Sequence, residues 1–318
     1  MKGRFAPSPT GRMHLGNIYA ALLSWLSVRS QDGAWVLRIE DIDPQRSRPE
    51  FAQQIKEDLH WLGLEWDEEY TQSQRFPIYE EFLQQLQDTG LVYPCYCTRA
   101  DIMATQAPHE SDGRIVYAGT CRPQGLREAK KVEGFLVSGF QGSRVQGSGP
   151  TPQRPPSLRL FVPDEDIAFT DAHYGPQSVN LATHCGDFVL RRADGAWAYQ
   201  LAVVVDDALM GITEVVRGRD LLLSAPQQIY LYGLLGFPAP TFCHLPLLCN
   251  GAGQRLCKRD KSLDLGELCK HFRAEEILGR LAFHAGLIEH SEAISAQELV
   301  QDFSWSKVPT EDIIVNDH

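Results

Sequence analysis

The sequence predicts an α/β fold on a parallel sheet, and three observations carry that reading. The first 90 residues alternate in the order strand, helix, strand, helix, helix. The second of those strands runs into a cluster of acids, where ligands gather at the carboxyl ends of strands in open α/β sheets. Strand-like stretches then resume beyond an irregular insert, so the sheet reads as two halves.

The chain opens on a short apolar, strand-like start that Pro7, Pro9 and Gly11 stop, marking a loop. His14-Leu15-Gly16-Asn17 leads into Ile18–Leu26, with the apolar density of a buried helix. A strand, a Pro/Gly loop and a helix N-terminus make either an ordinary βα loop or an anion site, where unpaired N–H groups and the helix dipole favour phosphate. Ala34–Asp43 alternates like a strand and ends in Glu40, Asp41 and Asp43. Pro49 opens a helix with Phe51, Ile55, Leu59 and Leu62 at spacings of three or four. A further helix points Ile78, Phe82, Leu83 and Leu86 inward and ends at Gly90.

Pro94 to about Pro123 reads as an irregular insert, and 134–156 as a Gly/Ser/Pro/Gln-rich mobile surface loop. Strands are expected at Leu158–Val162 and Asp187–Arg192. The latter is expected to form a hairpin, through Asp194-Gly195, with a strand at Trp197–Asp207. Ile212–Asp220 reads as another strand, Pro226 opens a helix through Tyr232, and His244–Leu248 reads as the last strand. The tail from Leu265 reads as helical, with Ser295 and Glu298 spaced as a capping box.

Composition narrows the function classes. Hydrophobic content of 43% and charged content of 22% are those of an ordinary globular chain. No apolar run approaches the ~20 residues of a membrane span, and the N-terminus begins the fold, so a cytoplasmic protein is expected. A net charge of −11 argues against a generally basic nucleic-acid binder, though a local basic patch can still hold one. Eight cysteines without an export signal point away from disulfides. Cys185, Cys243, Cys249 and Cys269 are expected to be small buried side chains. Cys95, Cys97 and Cys121 cluster on two short segments and supply three of the four ligands of a structural zinc, or remain reduced thiols. On chemistry alone the fourth ligand is either His109, the conventional choice, or Tyr117.

Four fragments, in order, resemble the class I aminoacyl-tRNA synthetases of the glutamyl and glutaminyl type. His14-Leu15-Gly16-Asn17 is similar to their first signature, and Arg255-Leu256-Cys257-Lys258-Arg259 to their second. Between them lie Tyr199 with Val204-Val205-Asp206-Asp207, and Val216-Arg217-Gly218. The resemblance implies a Rossmann-like catalytic sheet in two halves (1–90 and 186–260). It also implies an inserted zinc-containing acceptor-end subdomain at 91–185 and a short C-terminal helical subdomain at 261–318. It favours Tyr117 as the fourth zinc ligand.

Amino-acid activation builds negative charge on the α-phosphate of ATP as pyrophosphate leaves, so the site needs donors and cations there. His14 can donate to phosphate, Gly16 lets the nucleoside approach the backbone, and Lys258 can meet the leaving phosphates as a point charge. With Asn17, these are the ATP positions that the resemblance implies, with magnesium-bound ATP as substrate; no dedicated magnesium cage is legible. The glutamate positions it implies are Arg4, Phe5, Ala6, Pro7, Ser8, Glu40, Tyr199 and Arg217. Arg4 and Arg217 offer forked donors for two carboxylates, Glu40 can hold the ammonium group, and Ser8 and Tyr199 complete the hydrogen bonds.

Two departures stand out. Val203 occupies a position where glutamyl-tRNA synthetases commonly carry asparagine; losing that amide should cost glutamate binding about 0.5–1.5 kcal/mol. In the second signature Arg255 replaces the usual first lysine and Cys257 the usual serine. Sixty residues follow Lys258, fewer than the ~100–150 of a typical domain, so an anticodon-reading domain is expected to be missing. That architecture, with Trp305-Ser306-Lys307-Val308-Pro309 near the C-terminus, resembles the glutamyl-Q tRNA(Asp) synthetase family. The resemblance implies ATP, L-glutamate and queuosine-bearing tRNA(Asp) as partners, with no membrane, and a monomer is expected. The alternatives are a truncated glutamyl-tRNA synthetase charging the tRNA 3′ end, or a non-catalytic zinc-containing RNA-binding paralogue.

Overall fold

In the computed structural model, which describes residues 1–104, 116–128, 155–256 and 264–315, the two halves of the sequence meet along the first strand. β1 (Lys2–Phe5) leads through the Pro/Gly loop into α1 (Leu15–Arg29), and β2 (Ala34–Ile39) returns parallel to β1, with Arg4 opposite Val36. α1 is buried on nearly every side, as its apolar density requires. α2 (Pro49–Trp61) starts on its proline and turns Ile55 and Leu59 into the core. β3 (Glu68–Thr71) then adds a third parallel strand beside β2. The sequence expectation lacked this strand because Glu68-Glu69-Tyr70-Thr71 carries acids on a sheet edge, where Lys2 and Lys56 pair with them. α3 (Phe76–Asp88) closes this half, with Gly90 in the left-handed conformation just past its end.

The insert is built on an antiparallel sheet. β4 (Val92–Cys95) is followed by the short helices α4 (Arg99–Ala104) and α5 (Gln124–Glu128), then by β5 (Ser157–Leu160), which pairs with β4. β6 (Asp166–Asp171) and β7 (Gly175–Asn180) form a hairpin whose alternation around Gly175 went unread in the sequence. After α6 (Leu181–His184), β8 (Phe188–Arg191) completes the sheet in the order β4-β5-β8. The loop expected at 134–156 lies outside the described residues, except for its last two.

The expected hairpin after β8 is corrected. Its Asp194-Gly195 turn forms and closes one antiparallel bridge, Arg191 to Trp197, but the apolar run beyond is α7 (Tyr199–Leu209). A buried apolar run of this length is ambiguous between strand and helix. Here adjacent Asp206 and Asp207 decide: each finds buried partners in a different direction, and Gly211, at φ 68°, ends the helix.

β9 (Glu214–Gly218) then runs beside β1, where the Thr213 N–H donates to the Lys2 carbonyl at 2.8 Å. α8 (Ala225–Leu235) starts one residue before the expected Pro226, which sits in its first turn, and is capped by left-handed Gly236. The last strand is displaced from its expected place: β10 (Thr241–Leu245) pairs parallel with β9 and stops before Pro246, and β11 (Leu248–Cys249) starts anew.

The tail forms α9 (Leu265–Leu268), α10 (Ala274–His284) and α11 (Ala296–Leu299), the last with the expected Ser295–Glu298 capping box. It is not helical throughout. β12 (Ile313–Ile314) returns to pair with β11. Cys243 and Cys249 are buried as expected, whereas Cys185 is half-buried and Cys269 exposed. Among the described residues no helix is long and apolar enough to cross a membrane.

Candidate active site

A cavity of about 450 Å³ opens at the carboxyl ends of β1, β2, β9 and β10, where the chain order reverses across β1 and a doubly wound sheet places its ligand. The structure brings nearly all the expected site residues to its wall: Arg4, Phe5, Ala6, Pro7, Ser8, His14, Gly16, Asn17, Glu40, Tyr199 and Arg217. Lys258, Cys257 and Arg259 lie outside the described residues. Arg255 and Leu256, the first part of the same motif, line the cavity, and Arg255 Nη1 donates to Asp220 at 2.6 Å.

His14 is the N-cap of α1. Its Nδ1 accepts the Gly16 N–H at 3.1 Å, and Asn17 Oδ1 accepts the His14 N–H at 3.1 Å. An accepting Nδ1 puts the proton of the neutral ring on Nε2. A Cβ on Gly16 would sit 3.0 Å from His14 Cε1, so glycine lets the capping ring lie close against the start of the helix. Asn17 serves the cap. No acid occupies the first turn of α1, so its dipole is left for an anion.

The two arginines differ in partnership. Arg4, buried, is ion-paired to Asp207 at 3.3 Å and donates to the Val216 carbonyl. Asp207 is shared with Arg38, whose Nη1 lies 2.5 Å from it, and Arg38 Nη2 reaches Glu40 at 3.1 Å. Arg38 and Glu40 stand two residues apart on one face of the chain leaving β2. Burial alone would raise the Asp207 carboxyl, but Arg38 and Arg4 hold it below the usual range. At Glu40 burial wins and the carboxyl is raised despite both arginines.

Arg217 is also buried, yet its hydrogen bonds go to neutral acceptors: His244 Nε2 at 3.0 Å, Gln228 Oε1 at 2.8 Å and the Leu221 carbonyl at 3.2 Å. Among the described residues it makes no ion pair, and burial lowers its pKa. Arg38, His244 and Gln228 were not singled out in the sequence, whereas Asp207 belongs to the Val204–Asp207 fragment that was. Arg38 could have been, as a charge in an otherwise apolar strand. Val203 is 1% exposed and does not line the cavity.

The cysteine cluster sits at the end of β4. The sulfurs of Cys95, Cys97 and Cys121 lie within 4.8 Å of one another, with Cys97 and Cys121 at 3.5 Å. The Tyr117 hydroxyl is 3.4 Å from Cys95 Sγ and accepts the Cys121 N–H at 2.8 Å, while Arg159 stacks on the Tyr117 ring at 3.9 Å. Three soft donors and a phenol converging on one point fit a tetrahedral zinc. Burial opposes ionisation of Cys95, but hydrogen bonds with Tyr117, the Cys97 backbone and Arg159 bring it down to about 7. Burial and the neighbouring thiols push Cys97 up to about 12. His109 lies outside the described residues.

Comparison with known proteins agrees with this geometry. The family model described as tRNA synthetases class I (E and Q), catalytic domain, matches residues 1–310. The chain is 46% identical over 327 residues to a protein of Symbiobacterium thermophilum named glutamyl-Q tRNA(Asp) synthetase, covering 98% of this chain and 94% of that one. A protein of the same name from Nitratidesulfovibrio vulgaris is 43% identical, covering 99% and 95%. Among solved structures, a glutamate tRNA ligase from Elizabethkingia meningosepticum, in complex with its amino acid, superposes with a TM-score of 0.78 at 28% identity. That match covers 99% of this chain, which spans 66% of the ligase's length. The chain belongs to the class I glutamyl and glutaminyl tRNA synthetases and, within them, to the glutamyl-Q tRNA(Asp) synthetase family.

Proposed function

We propose that the protein is a ligase that activates L-glutamate with ATP without requiring tRNA, then transfers glutamate to the queuosine base at the wobble position of tRNA(Asp). The observation that carries the amino-acid half is Arg217, a buried cation on the cavity wall that feels the charge of Asp207 but makes no ion pair among the described residues. A substrate carboxylate supplies the partner. Arg4 is already half-neutralised by Asp207 and takes part as a donor, and Glu40, with Tyr199 and Ser8, receives the ammonium end.

In the adenylation step the α-carboxylate oxygen bonds to the α-phosphorus and the bond to the β-phosphate oxygen breaks. His14 Nε2–H and the open end of α1 face the charge that builds on phosphate. Lys258 is assigned to the departing pyrophosphate from its place in the second motif. In the second step the acceptor oxygen of the tRNA attacks the acyl carbon and AMP leaves. Magnesium accompanies ATP and screens its phosphates. We assign Cys95, Cys97, Tyr117 and Cys121 to one zinc, which when bound cross-links β4 to the segment before α5.

ATP–pyrophosphate exchange dependent on glutamate, with no tRNA added, tests the first step. Exchange supports it, and exchange seen only with tRNA overturns tRNA independence.

A further inference from the structure

Arg217 has a support that none of the motifs predicted. Its Nε–H donates to His244 Nε2 at 3.0 Å, and His244 Nδ1 lies 2.6 Å from Asp171 Oδ2. Arginine carries no acceptor, so His244 Nε2 must be the unprotonated nitrogen. The ring proton is therefore on Nδ1, donated to Asp171. Asp171 Oδ1 in turn accepts backbone N–H groups from His173 at 3.1 Å, Tyr174 at 2.9 Å and His244 at 3.3 Å. These contacts keep the carboxylate ionised and immobile at the end of β6. His244 and Asp171 are both fully buried.

We propose that Asp171 and His244 are positioning residues for glutamate recognition. Asp171 fixes the tautomer of His244, and that tautomer fixes the plane of the Arg217 guanidinium against the cavity. With Gln228 and the Leu221 carbonyl, His244 clamps the guanidinium on three sides. The carboxylate also places a negative charge one imidazole away from a cation that has no ion pair among the described residues. A protonated or Nε2–H imidazole would turn a donor onto a donor and release the clamp. The β6–β7 hairpin, which contributes no wall to the cavity, thereby acquires a part in amino-acid selection. The inference rests on the reading of Arg217 as a glutamate ligand.

Two substitutions separate positioning from packing. His244→Asn keeps an amide near Asp171 but cannot reach Arg217, whereas His244→Gln can bring Oε1 to the position of Nε2. Glutamate-dependent pyrophosphate exchange with the full chain should show the glutamate KM raised about tenfold in His244→Asn, the size of one lost hydrogen bond to a charged group. The KM for ATP should stay within about twofold, and His244→Gln should recover most of the loss. Equal effects of the two variants, or equal shifts in both KM values, overturn the positioning role. Wild-type protein labelled with 15N-histidine gives a second reading that does not depend on a variant folding: an Nδ1–H tautomer at His244 supports the proposal and an Nε2–H tautomer overturns it. Absence of exchange in the wild type would instead sink the glutamate reading. Exchange that is lost in Arg217→Ala but indifferent to His244→Asn would sink only the positioning role.

Discussion

His14 shows how one residue ties helix formation to chemistry. Capping α1 consumes Nδ1, and that choice leaves the proton of the neutral ring on Nε2. Gly16 makes the arrangement compatible with a close-packed ring. It does not have a left-handed backbone, so alanine would be accepted conformationally and would favour the helix. The Cβ would nevertheless crowd the imidazole at 3.0–3.1 Å. Gly16→Ala should therefore leave thermal stability within about 0.5 kcal/mol of wild type and lower kcat/KM for ATP by roughly tenfold through a turned His14. Thermal unfolding and ATP-dependent exchange measured on the same preparation check the two halves of that outcome. Residue identity at the site was legible because the motif residues need particular side chains. Their supports were not: Arg38, His244 and Gln228 act through tertiary contacts that no spacing encodes.

At the scale of elements, the errors of the sequence reading share a cause. The run from Trp197 to Asp207 has the β-branched content of a strand, and local propensity cannot register that Asp206 and Asp207 need partners in two directions. On α7, Asp206 meets Gln72, Arg75 and Tyr79, while Asp207 meets Arg4 and Arg38, so adjacent acids bind the two halves together. Pro49, Pro226, Gly90 and the Ser295–Glu298 box were readable because capping chemistry is local. α2 carries a pH signature. Burial raises Asp58 to about 6 despite Arg12 at 3.2 Å. A carboxyl whose folded pKa lies above its unfolded value of about 3.9 contributes stability below pH 4 that is lost as pH rises through 6. Asp58→Asn, which mimics the protonated group, should gain on the order of 2 kcal/mol relative to wild type between pH 4 and pH 7. Urea unfolding at both pH values checks this, and a constant difference would contradict it. At the end of β4, the protein should carry about one zinc per chain by metal analysis. Cys97→Ser should lose that zinc and lower the melting temperature, with glutamate exchange falling less than transfer to tRNA.

On the scale of the whole molecule, the tail is laced to both halves of the sheet and to the β6–β7 hairpin. Trp305 Nε1 donates to Ser27 Oγ at 3.1 Å, and Ser27 Oγ donates to Glu214 at 2.7 Å. The Pro309 carbonyl meets His173, and the Thr310 carbonyl accepts from Tyr174. Asp312 pairs with Arg219 and accepts the Leu247 N–H beside the cavity. One cooperative unit is expected from such contacts, and Trp305→Ala should cost about 2–4 kcal/mol in a single unfolding transition. A separate early transition for the tail would contradict that coupling. The sheet, its reversal point and the family resemblance converge on one chemistry, the attachment of glutamate to an RNA acceptor. The most direct measurement is to incubate the protein with ATP, labelled glutamate and purified tRNA(Asp) with and without queuosine, alongside tRNA(Glu), and to map the labelled nucleotide. Label confined to the queuosine of tRNA(Asp) is the result expected; label at the 3′ end of tRNA(Glu) would contradict it.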